Sequence, residues 1–275
     1  MNPITAGFVA LLVAAPASVS RADGGPDVNV EVGQGYANNL NTATSSSARA
    51  GSAFTLLAAY AGFAKRLGKP ADIYVDVDGA ITRYANYSDL SSSLVGMRMG
   101  ALVSVGEAGL AHVSLLAIRK WYKDTSRNAL SLAGSAAYRQ RFTRYLSSRI
   151  QYRIRRHSAD TEVFSFREHK VSTSAMIGRP ILECALGYSY DISDATFYMD
   201  RESPTSEGME SSSSDTFTPN QIVYRDDITA HSGHARLWYR PTTWLRLRVS
   251  YSLARIDTSE GIAYSQEVLG LLRVF

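Results

Sequence analysis

The side chains best placed to act on a solute are arginines separated by even intervals. Arg149, Arg153 and Arg155 stand two or four residues apart, and Arg246 and Arg248 repeat the spacing later in the chain. Alternate residues of an extended strand share a face, so the first three would project together, with gaps of about 14 and 7 Å along the strand. Guanidinium groups grip carboxylate or phosphate with two parallel hydrogen bonds, and a row of them can pass an anion along a pore. Arg98 and Arg236 are candidates to join from two further strands. The same phasing turns Asp76, Asp78, Glu168, Glu183 and Asp191 inward. Arginines and carboxylates facing each other across a small lumen could instead neutralise one another and plug it, so conduction and closure both stand as readings.

Other chemistry is poorly signalled. The segment His231-Ser232-Gly233-His234 is the only local approach to a nucleophile and base. A working dyad needs the hydroxyl within hydrogen-bond reach of an oriented imidazole. Neighbouring strand residues diverge, and His234 would lie about 7 Å along from Ser232, so no catalytic residue is expected. His112, His157, His169, His231 and His234 show no ligand spacing with cysteine or carboxylates, and neither a metal nor another cofactor is expected. His157 and His169 read as ordinary polar residues flanking a loop. Cys184 is the single cysteine, which excludes a disulfide framework and a lipidated N-terminal cysteine. The formal charge of +4 is spread along the chain and argues against a nucleic-acid partner.

The elements that must carry these side chains are strands. The 275 residues are 45% hydrophobic and 20% charged, too polar for a bundle of membrane helices. A helical span needs about 20 apolar residues in a row. The only candidate run, Phe8 to Ala17, reads as the core of a signal peptide over 1–22, with Ser20-Arg21-Ala22 supplying small residues where a signal peptidase cuts. Residues 1 to 7 hold no Lys or Arg, so either the terminal amine is the only positive charge there or the true start lies upstream. The mature part, 23–275, is expected to be one domain.

Beyond residue 27 apolar residues recur with period two in segments of membrane-strand length, about 9 to 11 residues or more. In 146–156, for example, Leu146, Ile150, Tyr152 and Ile154 oppose Arg149, Arg153 and Arg155. Twelve such runs are expected, at 28–37, 51–63, 72–84, 92–105, 109–121, 129–140, 146–157, 161–177, 181–193, 221–239, 244–256 and 262–275. Ten or fourteen strands are the neighbouring alternatives. The runs at 51–63, 109–121 and 161–177 change phase, pointing to bulges or a mis-set end. Segments 64–71, 106–108, 141–145, 178–180 and 240–243 make one set of short turns, and 38–50 and 194–220 belong to the opposite set. Segment 194–220, acidic and serine-rich, reads as a solvated surface loop or as a flap over a pore mouth. Tyr84, Tyr87, Trp121, Tyr122, Tyr138, Trp238, Tyr239, Trp244 and Phe275 near strand ends read as interfacial girdles.

The chain ends Ile262-Ala-Tyr-Ser-Gln-Glu-Val-Leu-Gly-Leu-Leu-Arg-Val-Phe275. Here it resembles bacterial outer-membrane β-barrel proteins of the porin-like type, whose last strand carries a terminal aromatic and a glycine five residues before it, matched by Phe275 and Gly270. Arg273 departs from the apolar residue usual at its place, and Val268 from a polar one. Val32-Gly-Gln-Gly-Tyr36 running into Asn38-Asn39 also looks like a first strand and loop of such barrels. The resemblance implies an all-β, closed antiparallel transmembrane barrel in the bacterial outer membrane. Its partners would be outer-membrane lipid, lipopolysaccharide and the barrel-assembly machinery, which reads Gly270 and Phe275. In its arginines the chain is similar to small porins for acidic oligosaccharides.

The sequence therefore leads to an expected passive diffusion channel for small hydrophilic, including anionic, solutes. Arg98, Arg149, Arg153, Arg155, Arg246 and Arg248 would guide the solute, with Asp76, Asp78, Glu183 and Asp191 as counter-charges. The alternatives are a closed barrel acting in adhesion or surface assembly through its outer loops, and, further off, a lipid-modifying enzyme of the outer membrane.

Overall fold

A computed structural model describes residues 26–41, 49–68, 70–179, 181–200, 211–214, 216–217, 221–259 and 261–275. The expected signal peptide over 1–22 lies outside the described residues. The strands are β1 (Asp27–Ala37), β2 (Ser52–Arg66), β3 (Ala71–Tyr84), β4 (Ser92–Val105), β5 (Gly109–Tyr122), β6 (Ala129–Arg141), β7 (Leu146–Ala159), β8 (Phe166–Arg179), β9 (Leu182–Asp200), β10 (Ser211–Ser214), β11 (Gln221–Tyr239), β12 (Leu245–Thr258) and β13 (Gly261–Val274).

Every pairing is antiparallel, from β1–β2 round to β12–β13, and β1 pairs with β13 so that the sheet closes on itself. The result is a twelve-stranded barrel. β10 stands outside that count, because it pairs only with Gln221–Tyr224 at one end of β11. Closure leaves no exposed strand edge, so every backbone donor in the wall finds an acceptor without water.

Period-two patterning sorts the side chains as a membrane strand requires. Outward residues are apolar and exposed, among them Val75 at 42%, Leu115 at 60%, Leu186 at 62% and Val249 at 54%. Leaving each such side chain in water forfeits about 1.5–3 kcal/mol relative to burial. A surface built of them is stable only against another apolar phase.

Three expectations are corrected. The run at 161–177 has a mis-set start: Glu162–Phe164 is a 3-10 turn, and β8 begins at Phe166. The runs at 51–63 and 109–121 contain no bulge, since the registers of β2 and β5 with their neighbours advance without a break. Their alternation fails because both faces are apolar: Phe54 and Leu56 are buried while Leu57 and Phe63 are exposed, and Ile118 is buried while Leu115 is exposed. β9 runs seven residues past Ser193, its last residue paired with β8, into the segment expected to be loop.

The interior is not wholly polar either. Phe54, Leu56, Leu269 and Leu271 pack inside against Leu40 and Leu90. Gly33 and Gly35 admit this cluster, because a Cβ at either position would strike Leu271 or Phe54. Apolar filling takes the Leu40 and Leu90 end of the β13–β1–β2 side, while Glu31, Tyr60 and Arg273 keep the interior of the same strands polar farther along.

The ends differ. One carries the short turns 67–70, 106–108, 142–145, 180–181 and 240–244, the other the connections 38–51, 85–91, 123–128, 160–165 and 201–220 together with the turn 259–260. Trp121, Tyr239 and Trp244 point outward, at 42%, 44% and 55% exposure. Tyr84, Tyr122 and Trp238 do not belong to a girdle: Tyr84 packs against Phe54, Tyr122 lies beneath Lys120, and Trp238, 8% exposed, meets Arg246. Parity decided this, since each sits one residue out of step with the outward set.

Candidate functional site

All the arginines singled out in the sequence lie on inward positions, and most are tied. On β7, Arg153 and Arg155 both donate to Glu168 of β8, Arg155 at 2.7 Å. Lys170 of β8 meets Asp191 of β9 at 3.2 Å, and Arg246 of β12 meets Glu183 of β9 at 2.9 Å. On β3 and β4, Asp76 sits directly opposite Arg98 in the ladder, and Asp78 lies in the field of the same guanidinium. A carboxylate in a barrel wall is costly unless paired. Ion pairs hold Glu168, Asp191 and Glu183, Asp76 and Asp78 share the field of Arg98, and together they break the proposed arginine ladder into separate clusters.

Arg139, Arg149, Arg236 and Arg248 are inward arginines with no ion pair among the described residues, Arg139 being hydrogen-bonded to the Ser147 hydroxyl. Arg236, Arg139 and Arg98 all lie near enough to Arg149 to repel it, and Arg248 feels the attraction of Glu31 and the repulsion of Arg236 and Arg273. Arg139 and Arg236 point into the barrel and are still exposed, so the space around them is wide enough for water. Tyr74 and His112, joined at 2.6 Å, complete this level of the wall on β3 and β5.

A further pair went unforeseen. Glu31 of β1 is 2% exposed and accepts from Arg273 of β13 and from the Tyr60 hydroxyl at 3.2 Å. The sequence held a signal for it, since Arg273 is the residue that departs from the usual pattern of a terminal strand.

The loop end is covered from within. Past Ser193 the ends of β9 and β11 leave their neighbours in the wall and pair with each other, Asp194 opposite Asp227 and Phe197 opposite Tyr224, with β10 alongside Gln221–Tyr224. In a ribbon standing free, one face would be wet. Here Phe197, Tyr198, Val223 and Tyr224 on both faces are at most 2% exposed, so the ribbon is folded across the barrel mouth. One face packs on Ile256 and Ala263 of β12 and β13, the other on Val163 and Phe164. Of the segment expected to be a solvated loop, residues 201–210, 215 and 218–220 lie outside the described residues; the rest takes part in a flap.

Arg127, in the turn between β5 and β6, pins it. The guanidinium donates to the Tyr198 hydroxyl, to Thr216 Oγ1 at 3.0 Å and to Asp124 at 3.0 Å, and stacks 4.3 Å from the Phe164 ring. Burial works against its charge, but Tyr198 and Asp124 outweigh that and raise its pKa further. Phe217 wedges between Tyr87 and Tyr198, with ring centres 4.9 and 4.8 Å away. Thr196 donates to the Val163 carbonyl at 3.0 Å, and Arg225 meets Glu162 at 3.1 Å. Where Asp194 and Asp227 face each other, their shared hydrogen bond first, and burial second, lift the Asp227 carboxyl above the usual carboxylate range.

The remaining histidines divide by parity. His157 is inward and buried, bonded to Ser131 at 2.6 Å and stacked on Phe166, which corrects its reading as a loop-flanking residue. His169 and His231 face outward and bond Tyr152 and Tyr188. Ser232 faces inward beside them in sequence, so no serine and histidine meet there.

No protein-family model matches the chain, and no curated protein matches it in sequence. Solved structures do. The COG4313 outer membrane channel from Pseudomonas putida F1 superposes with a TM-score of 0.54 at 12% identity, over 95% of this chain and 99% of that one. The NanC porin aligns at a TM-score of 0.49 and 8% identity, over 90% of this chain and 99% of its own, and the KdgM porin at 0.46 and 7%, over 90% and 98%. At such identities the likeness is one of fold: the closed antiparallel barrel of bacterial outer-membrane channels.

Proposed function

We propose that this barrel is an outer-membrane channel for passive diffusion of small hydrophilic solutes, with a preference for anions. The observation that carries the reading is the group of Arg149, Arg236 and Arg248, inward-facing guanidiniums without a carboxylate partner among the described residues, with Arg236 open to water. Fixed positive charge in a narrow polar path lowers the energy of an anion there and raises that of a cation. The paired residues Arg153, Arg155 and Arg246, with their carboxylates, then serve as wall and brace. The outward apolar surface, which suits lipid and not water, supports an outer-membrane location for such a barrel, with Gly270 and Phe275 as its assembly signal.

Planar-bilayer recording in a salt gradient tests this. At about 0.1 M salt, where the Debye length is about 10 Å, the reversal potential should report anion preference, and Arg149→Ala with Arg236→Ala should move it toward zero. Cation preference, or a reversal potential indifferent to both substitutions, would overturn the reading.

The ribbon across the mouth favours a second reading, a closed barrel that works through its outer surface. On that reading no ions flow in the wild type or after the Arg127 contacts are removed. Removing residues 201–215 would then abolish binding to a partner while the barrel still folds.

A further inference from the structure

Lys120 has a buried charge that nothing in the wall answers. It lies at the loop end of β5, faces inward and is 4% exposed. It has no hydrogen bond or ion pair among the described residues; its ammonium rests 4.4 Å above the Tyr122 ring. Glu168, an inward carboxylate of the wall that lines the same cleft, is already held by Arg153 and Arg155. A buried cation normally finds an anion or loses its charge.

The ammonium borders a cleft between the barrel wall and the folded ribbon. The cleft is partly open to solvent, with β5, β7 and β8 on one side and Ala195, Thr196 and Tyr198 on the other. Arg155, 8% exposed, also lines it and keeps its Nε without a partner. Tyr122, Phe164 and Phe166 give the cleft flat apolar walls. Its second carboxylate, Asp194, accepts from the Arg167 backbone N–H at 3.4 Å and faces Asp227. Positive charge at the back and aromatic rings at the sides fit a solute that carries both features.

We propose that this cleft binds a small organic anion, its carboxylate held by Lys120 and its flat apolar ring lying against Tyr122, Phe164 and Phe166. Occupation would supply the missing counter-charge and brace the ribbon against the wall. The site does not require that the lumen conduct, so its test is separate from the channel's.

Isothermal titration of the detergent-solubilised protein at low salt tests it, with benzoate, benzamide and sulfate as probes. Benzoate should bind at one saturable site, with benzamide and sulfate each at least tenfold weaker. Lys120→Met should weaken benzoate at least tenfold, and Lys120→Arg should retain most of the binding. No benzoate binding, benzamide as tight as benzoate, or sulfate as tight as benzoate each overturns the proposal. The three-probe comparison needs only the wild-type protein, so it decides the matter even if a Lys120 variant fails to fold.

Discussion

Glu31 on the first strand and Arg273 on the last meet across the seam that closes the barrel, and both are buried. The pair bridges residues separated by nearly the whole chain, at the one strand junction that no turn connects. Removing one partner of a buried pair strands the other's charge, at about 3–5 kcal/mol. Glu31→Gln or Arg273→Met should therefore lower the temperature at which the barrel loses its compact mobility on unheated SDS gels. The double variant Glu31→Leu with Arg273→Leu should recover part of the loss; equal or greater damage in the double would show that the seam does not depend on the pair.

Arg127 and Tyr198 should act as a latch. A hydrogen bond to a charged group contributes about 1.5–3 kcal/mol, enough to shift a closed-to-open ratio at least tenfold. Arg127→Met or Tyr198→Phe should raise single-channel conductance or the fraction of time spent open, and should expose the ribbon to protease. Unchanged conductance and cleavage in both variants would remove the ribbon from any gating role.

The facing carboxyls Asp194 and Asp227 predict a pH effect of definite sign. Because the Asp227 pKa is raised in the folded ribbon, the folded ribbon holds that proton more tightly than a released one. Closure is favoured below the ordinary carboxylate pKa, and this advantage is lost as pH rises through the raised value. Protease resistance of the ribbon should fall across that window, and Asp227→Asn should flatten the dependence. A resistance that rises with pH would contradict the assignment.

Arg153→Ala and Arg149→Ala should differ sharply although both arginines face inward from one strand. Arg153 braces Glu168, so its loss should cost about 1–3 kcal/mol of stability, read by thermal shift. Arg149 has no ion pair among the described residues, so its loss should spare stability and act on ion selectivity alone. Equal thermal shifts in the two variants would count against the division between brace and lumen charge.

How much of this was legible follows from what each feature depends on. Strand positions, the twelve-fold count and the inward placement of Arg98, Arg149, Arg153, Arg155, Arg246 and Arg248 rest on a local rule, the two-residue alternation of a strand, which any stretch of chain displays. The rule failed where both faces were apolar, as at Phe54 and Leu57, and where a 3-10 turn at Glu162–Phe164 carried strand-like residues.

What alternation cannot express is which inward residues find one another. That Arg153 and Arg155 share Glu168 while Arg149 has Arg98, Arg139 and Arg236 around it depends on the stagger between strands and on the far wall. Likewise, Asp194 to Asp200 look like acidic loop until Tyr198 is set beside Arg127, 71 residues away in sequence. The sequence by itself determined a wall, apolar without and charged within, because facing is a property of single strands. Only the closed tertiary structure decided which charges cancel, what covers the mouth and where Lys120 is left unanswered, because those depend on distances across a lumen that no local pattern records.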